Sequence, residues 1–168
     1  IVWTKCLVYL DDIVAYGRTF DEAVANLTAV FERLRASNLK LKPSKCNLFR
    51  TEIEYLGHEV SGEGIRPCRK KIAALHNWKL PTTLYEVRAF LGFTGYYRQF
   101  VRNYSELAKP LTVLTKKDVP FKWTSRETQA FEKLRCALMD VAMLHYPKAG
   151  FDFHLTTDAS LYAIGAVL

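Results

Sequence analysis

Two adjacent aspartates, Asp11 and Asp12, interrupt the apolar run "VYLDDIVAYG" at residues 8–17. Neighbouring carboxylates between apolar strands disfavour joint ionisation, and a bound divalent cation removes that conflict. Hard oxygen ligands suit Mg²⁺, with Mn²⁺ as the alternative; Mg²⁺ takes few protein carboxylates and completes its octahedron with water and substrate phosphates. A pair of such ions can activate an attacking oxygen and stabilise a leaving one in phosphoryl transfer. The competing reading is two ordinary turn residues, since Asp hydrogen-bonds its own backbone and tolerates left-handed geometry. A two-residue hairpin prefers Asn-Gly or Asp-Gly, which weakens that alternative.

The elements that must position this pair follow from local pattern. Residues 3–10 and 13–16 read as hairpin arms with Asp11 and Asp12 at the turn. Thr19 and Glu22 form a capping pattern for an amphipathic helix ending near Asn38, with Phe20, Val24, Leu27, Phe31 and Leu34 on one face. "LKLK" at 39–42 and "IEYLGHEV" at 53–60 are strand-like, and "SGEG" at 61–64 is a turn. Pro67 is expected to open a basic helix closed at Leu80-Pro81. Thr83 with Glu86 and Thr124 with Glu127 cap two further helices, while a helix between them should be interrupted at Pro110. After Pro147, Phe151, Phe153 and Leu155 alternate with polar residues, and "TTDAS" should break that strand.

Charge is unevenly placed along the chain. Residues 1–65 carry 8 Lys+Arg against 9 Asp+Glu, residues 66–122 carry 12 against 3, and residues 123–168 carry 4 against 5. The middle segment therefore holds the whole of the +7 net charge, interleaved with Tyr85, Tyr96, Tyr97, Phe100 and Tyr104. Such a combination suggests a surface for a polyanion, against the blander reading of a solvated helical face. Cys6, Cys46, Cys68 and Cys136 form no C-x-x-C pair and read as reduced thiols; the four histidines make no zinc-binding pattern. Trp78 and Trp123 are assigned to packing rather than base stacking. No apolar run is long enough to cross a bilayer, so no membrane partner and an intracellular setting, compartment open, are the expectations.

Tyr9-Leu10-Asp11-Asp12 resembles the Tyr-x-Asp-Asp signature of reverse transcriptases, and the likeness extends in order along the chain. Residues 9–49 resemble the palm hairpin, helix and following strand of Gypsy-type LTR retrotransposon enzymes. "EYLGHEVSGEGIRP" is similar to their primer-grip hairpin and "FLGFTGYYRQFVRNYSELAKPLTVLTKK" to their thumb. "FKWTSRETQAFEKLRCAL" and "LTTDASLYAIGAVL" resemble the start of the ribonuclease-H-like domain.

The resemblance implies an α+β chain in three parts: the C-terminal part of the palm at 1–65, a helical thumb at 66–118, and the N-terminal part of an RNase-H-like domain at 119–168. They are not expected to share one compact core. It implies Mg²⁺-dependent nucleotidyl transfer on an RNA or DNA primer-template from dNTPs. Asp11 and Asp12 would be the metal-binding catalytic carboxylates, with Tyr9 beside the primer end or incoming nucleotide. Leu56, Gly57 and His58 would hold the primer end, and Asp158 would be the first metal-binding carboxylate of the ribonuclease H site. By charge alone, Arg66, Arg69, Lys70, Lys71, Arg98 and Arg102 would contact phosphates. The family's upstream aspartate and downstream carboxylates do not occur in the chain, so it reads as a piece of a longer protein, inactive by itself. The alternatives are a non-catalytic nucleic-acid-binding remnant and a relic without function.

Overall fold

Apolar residues at helical spacing build the best-packed part of the molecule. The structure, a computed structural model, describes residues 2–148, 150, 152, 155–160 and 163–167, the side chains of Asp158 and Val167 excepted. Its helices are α1 (Phe20–Ala36), α2 (Arg69–Ala73), α3 (Leu84–Tyr96), α4 (Tyr104–Leu114) and α5 (Ser125–Met139). Val87, Phe90, Leu111, Phe131, Leu134 and Leu138 are fully buried where α3, α4 and α5 meet the 3₁₀ turn at Ala74–Asn77, which contributes Leu75. The Phe90 and Phe131 rings stack with centroids 4.4 Å apart. Trp78 and Trp123 pack against this core, as expected of them.

The expected break at Pro110 does not occur: α4 runs straight through it. Proline in a helix interior costs about 3 kcal/mol. Ala108, Leu111 and Leu114 are buried around it, and burying even two leucines contributes roughly 3–6 kcal/mol. Packing therefore overrides the local penalty. The core also takes in α5, through Ala130, Phe131, Leu134 and Leu138.

The strands are β1 (Cys6–Tyr9), β2 (Asp12–Ala15), β3 (Glu52–Tyr55), β4 (His58–Ser61), β5 (Gly64–Pro67), β6 (Leu144–His145), β7 (Thr156–Ala159) and β8 (Ile164–Val167). β1 pairs with β2, and β7 with β8, each as an antiparallel hairpin, whereas β3-β4-β5-β6 form a four-stranded antiparallel sheet. Gly64 lies where β6 presses on β5: a Cβ there would fall 2.1 Å from the Leu144 carbonyl oxygen. The sheet is thereby joined to the chain that leaves α5.

Four expectations are corrected. "LKLK" at 39–42 is not a strand, because no strand among the described residues pairs with its backbone. Pro67 ends β5 instead of opening a helix; its missing N–H costs nothing at that position, and the basic helix starts at Arg69. "TTDA" is itself a strand, paired Asp158 to Gly165. Of the expected alternating strand before it, Asp152 and Leu155 are not in a strand, while Phe151, Phe153 and His154 lie outside the described residues.

Candidate active site and nucleic-acid interface

The register of the first hairpin sets where its carboxylates stand. Tyr9 pairs with Asp12, so the connecting residues are Leu10 and Asp11, one position earlier than expected, and Asp12 begins β2. Leu10 adopts φ +53°, a left-handed conformation costly for a branched side chain. Asp11, Asp12 and Tyr9 are all exposed. The hairpin is held from below by α1, where the buried Asn26 side chain donates to the Tyr16 carbonyl at 2.8 Å.

Two exposed carboxylates on a tight connection fit a hard divalent cation that keeps most of its water. Among the described residues no group of three His, Cys, Asp or Glu side chains converges, so this pair alone would make up only part of a ligand shell. Tyr55, in the β3–β4 hairpin, is pushed above its ordinary value by burial and then by the Asp12 carboxylate.

In that second hairpin Tyr55 pairs with His58, leaving Leu56 and Gly57 as the turn. Both have positive φ, +47° and +73°, the signature of a type I′ connection. Gly57 is buried and Leu56 and His58 half-buried. The two turn carbonyls have no ladder partners, and the end of α3 supplies them: the Tyr96 hydroxyl donates to the Leu56 oxygen, and the Tyr97 hydroxyl to the Gly57 oxygen at 2.9 Å. The Cys68 amide also donates to Gly57, at 3.0 Å. His58 Nδ1 lies 2.9 Å from the Leu56 oxygen, a pure acceptor, so Nδ1 donates to it, and the buried Nε2 has no hydrogen-bond partner among the described residues. Around the imidazole stand Tyr96, Tyr97 and Phe100, with ring centroids 5.4–5.6 Å away.

The basic residues divide into two sets. Arg66 donates to Glu59 at 2.7 Å and Glu52 at 2.5 Å, and Arg69 to the same carboxylates at 2.8 and 3.4 Å. Burial pushes Glu59 up, but the Arg69 amide and the two guanidinium groups more than offset this and hold it down to about 2. Both arginines, expected to face phosphates, thus have their charge largely neutralised at home. Lys70, Lys71, Arg98 and Arg102 are exposed and take no part in the ion pairs of the described residues. Lys71 Nζ would sit 3.0 Å from a Cβ on Gly57, which places an ammonium directly over the turn. Asp158 lies on β7, and its side chain is outside the described set.

Comparison with known proteins decides what this arrangement belongs to. Residues 3–60 match the family described as reverse transcriptase (RNA-dependent DNA polymerase), and residues 123–168 the RNase H-like domain found in reverse transcriptase. The retrovirus-related Pol polyprotein from transposon 412 of Drosophila melanogaster is 39% identical over 165 residues, 98% of this chain and 13% of the relative. That from transposon 297 of the same organism is 43% identical over 164 residues, 97% of this chain and 16% of the relative. The chain belongs to the reverse transcriptase family. It spans only that 13–16% of the curated relatives' length.

Solved reverse transcriptases share the architecture. The foamy viral protease-reverse transcriptase dRH in complex with ds DNA superposes with a TM-score of 0.79 at 30% identity, covering 92% of this chain and 28% of that one. The foamy viral protease-reverse transcriptase in complex with RNA/DNA hybrid gives 0.75 at 31%, covering 83% and 19%. Within this reverse transcriptase segment, sequence reasoning missed the Glu52/Glu59 clasp and the role of the tyrosines. The sequence pattern places Tyr96 and Tyr97 on a polyanion-facing surface. Tyr97 is only 1% exposed, and both hydroxyls are spent on the turn. Their adjacency in "GYYR" was the available signal, but nothing local tells which way the rings face.

Proposed function

We propose that the chain is the part of a Gypsy-type retrotransposon polymerase that presents catalytic carboxylates and the primer end to one another. Asp11 and Asp12 would bind Mg²⁺, or Mn²⁺ in its place, with Tyr9 flanking the nucleotide. When bound, the metal supplies Lewis-acid activation of the primer hydroxyl and charge neutralisation on the dNTP phosphates. The chain's own residues hold the carboxylates on a tight hairpin, fix the Leu56–Gly57–His58 turn against the end of α3, and offer Lys70, Lys71, Arg98 and Arg102 to phosphates. Asp158 would contribute the first ligand of a ribonuclease H site completed by residues of the longer protein. The structural neighbours were solved with DNA and with RNA/DNA hybrid, which supports a primer-template as the partner.

The observation that carries this reading is the exposed Asp11–Asp12 pair on a tight hairpin, within residues that match the reverse transcriptase family. The test is Asp11→Asn, and separately Asp12→Asn, in the longer polymerase containing this segment. Each should slow nucleotide addition by about 10³-fold, some 4 kcal/mol of transition-state stabilisation, while leaving hybrid binding intact or tighter. Extension at the wild-type rate by either variant rules the assignment out. The non-catalytic alternative rests on the four exposed cations. It predicts salt-sensitive hybrid binding, from counterion release, in a polymerase segment whose carboxylates make no difference to extension.

A further inference from the structure

We propose that the hydroxyls of Tyr96 and Tyr97 are positioning groups that latch the Leu56–Gly57 turn to the end of α3, so that turn and helical core move as one body. The inference rests on the reading of that turn as the primer-holding element. It adds two residues to the machinery, neither of which touches the reacting atoms.

Packing alone does not account for the arrangement. Tyr97 is buried in the core, yet its hydroxyl leaves that apolar surrounding to reach the Gly57 carbonyl at 2.9 Å. Tyr96 is 55% exposed, so burial does not dictate its position, and its hydroxyl nevertheless ends on the adjacent carbonyl of Leu56. Beyond the Cys68 amide on the Gly57 oxygen and His58 Nδ1 on the Leu56 oxygen, each central carbonyl of the turn has a second lone pair free for an outside element, and the tyrosine hydroxyls take them. Leu56 sits at φ +47°, a conformation a leucine abandons unless neighbours over-determine it. Gly57 sits at φ +73°, a backbone that favours glycine, and a Cβ there would crowd Lys71 Nζ and the Tyr97 hydroxyl at 3.0 and 3.3 Å. Burial, with smaller contributions from Tyr96, Cys68 and Glu54, pushes Tyr97 up to about 12, so its hydroxyl stays a donor at any working pH.

A latch of this kind has a functional signature distinct from that of a core residue. Without the hydroxyls the rings still pack, the helical core still folds and cations still hold phosphates. What is lost is the fixed relation between the turn and α3, hence the placement of a primer end already bound. The effect falls on the rate of addition and not on affinity.

The experiment uses Tyr97→Phe, Tyr96→Phe and the double variant. In the 168-residue chain, amide exchange at Gly57 and His58 should quicken by about tenfold in the double variant, the worth of two lost hydrogen bonds. Exchange at Phe90 and Phe131 should be unchanged. In the longer polymerase, single-turnover addition to a pre-bound primer-template should slow by about tenfold, with the dissociation constant within about threefold of wild type. Turn exchange and addition rate both unchanged would overturn the latch. So would exchange quickening equally throughout the core, which would make the tyrosines ordinary packing residues. Asp11→Asn is run alongside: if it extends primers normally the polymerase reading fails, and the exchange result then judges the latch by itself.

Discussion

The helical core and the α1 face are both amphipathic by sequence, yet they finish folding in different states. In the core, Phe90, Leu111, Phe131, Leu134 and Leu138 lose all contact with water. Along α1, Phe20 remains 66% exposed and Val24 and Phe31 37% each, with Asn26 and Val30 the buried positions. The apolar stripe on α1 is as regular as that on α5, so periodicity predicts an apolar face without predicting what covers it. The difference teaches that one region of this segment is stabilised by its own residues. The other, which carries the carboxylates, is positioned by few of them.

The sharpest way to break that contrast is a matched pair of truncations. Phe131→Ala should destabilise the helical core by about 3–5 kcal/mol, read as a fall in the denaturant midpoint followed by tryptophan fluorescence. Phe31→Ala, an equal loss of ring, should move the same midpoint by less than about 0.5 kcal/mol. Equal shifts would mean that the two regions unfold as one cooperative unit.

A smaller effect tests the joint between the sheet and α2. Glu59 is ordinarily ionised above 4.5 but is held in the folded protein at about 2. A lowered folded value means that its stabilisation is complete above pH 4.5 and disappears as pH falls through 2. Because Arg69 is largely exposed, the contribution is on the order of 1–2 kcal/mol. Glu59→Gln should remove it at neutral pH and flatten the acid limb of the stability profile between those values. An unchanged acid limb would show the ion pairs to be incidental.

Much of this was legible in the sequence where the determinants are local. The pairs Thr19/Glu22, Thr83/Glu86 and Thr124/Glu127 each announced a helix start, and each threonine accepts a backbone N–H at the helix it begins. The Tyr9–Asp12 hairpin was legible for the same reason, although its connection is displaced by one residue. What stayed hidden depends on distant partners. Arg66 and Arg69 look like free cations until Glu52 and Glu59 arrive from another part of the chain. "LKLK" has strand-like alternation but no strand beside it among the described residues. Pro110 should stop a helix, and the buried residues on either side keep it going. The turn at Leu56–Gly57 contains a leucine that no turn rule selects, and the tyrosines that hold it lie 40 residues away.

The mildest perturbation separates the two regions most finely. Thr124 accepts from the Arg126 amide at 3.3 Å while Glu127 accepts from the Thr124 amide at 2.9 Å. Thr19 accepts from the Glu22 amide at 3.2 Å while Glu22 takes the Arg18 amide at 2.8 Å. Replacing either threonine with alanine removes a similar cap, worth about 1 kcal/mol to its own helix. The consequences should differ, because α5 is welded into the core by Ala130, Phe131, Leu134 and Leu138 whereas α1 is not. Thr124→Ala should therefore lower the global stability by about 1 kcal/mol and leave α1 exchange untouched. Thr19→Ala should quicken exchange in the first turns of α1 by about fivefold with no shift in the tryptophan transition. If Thr19→Ala instead lowers that transition as much as Thr124→Ala does, α1 belongs to the same cooperative unit, and its exposed phenylalanines are not a sign of a weakly held element.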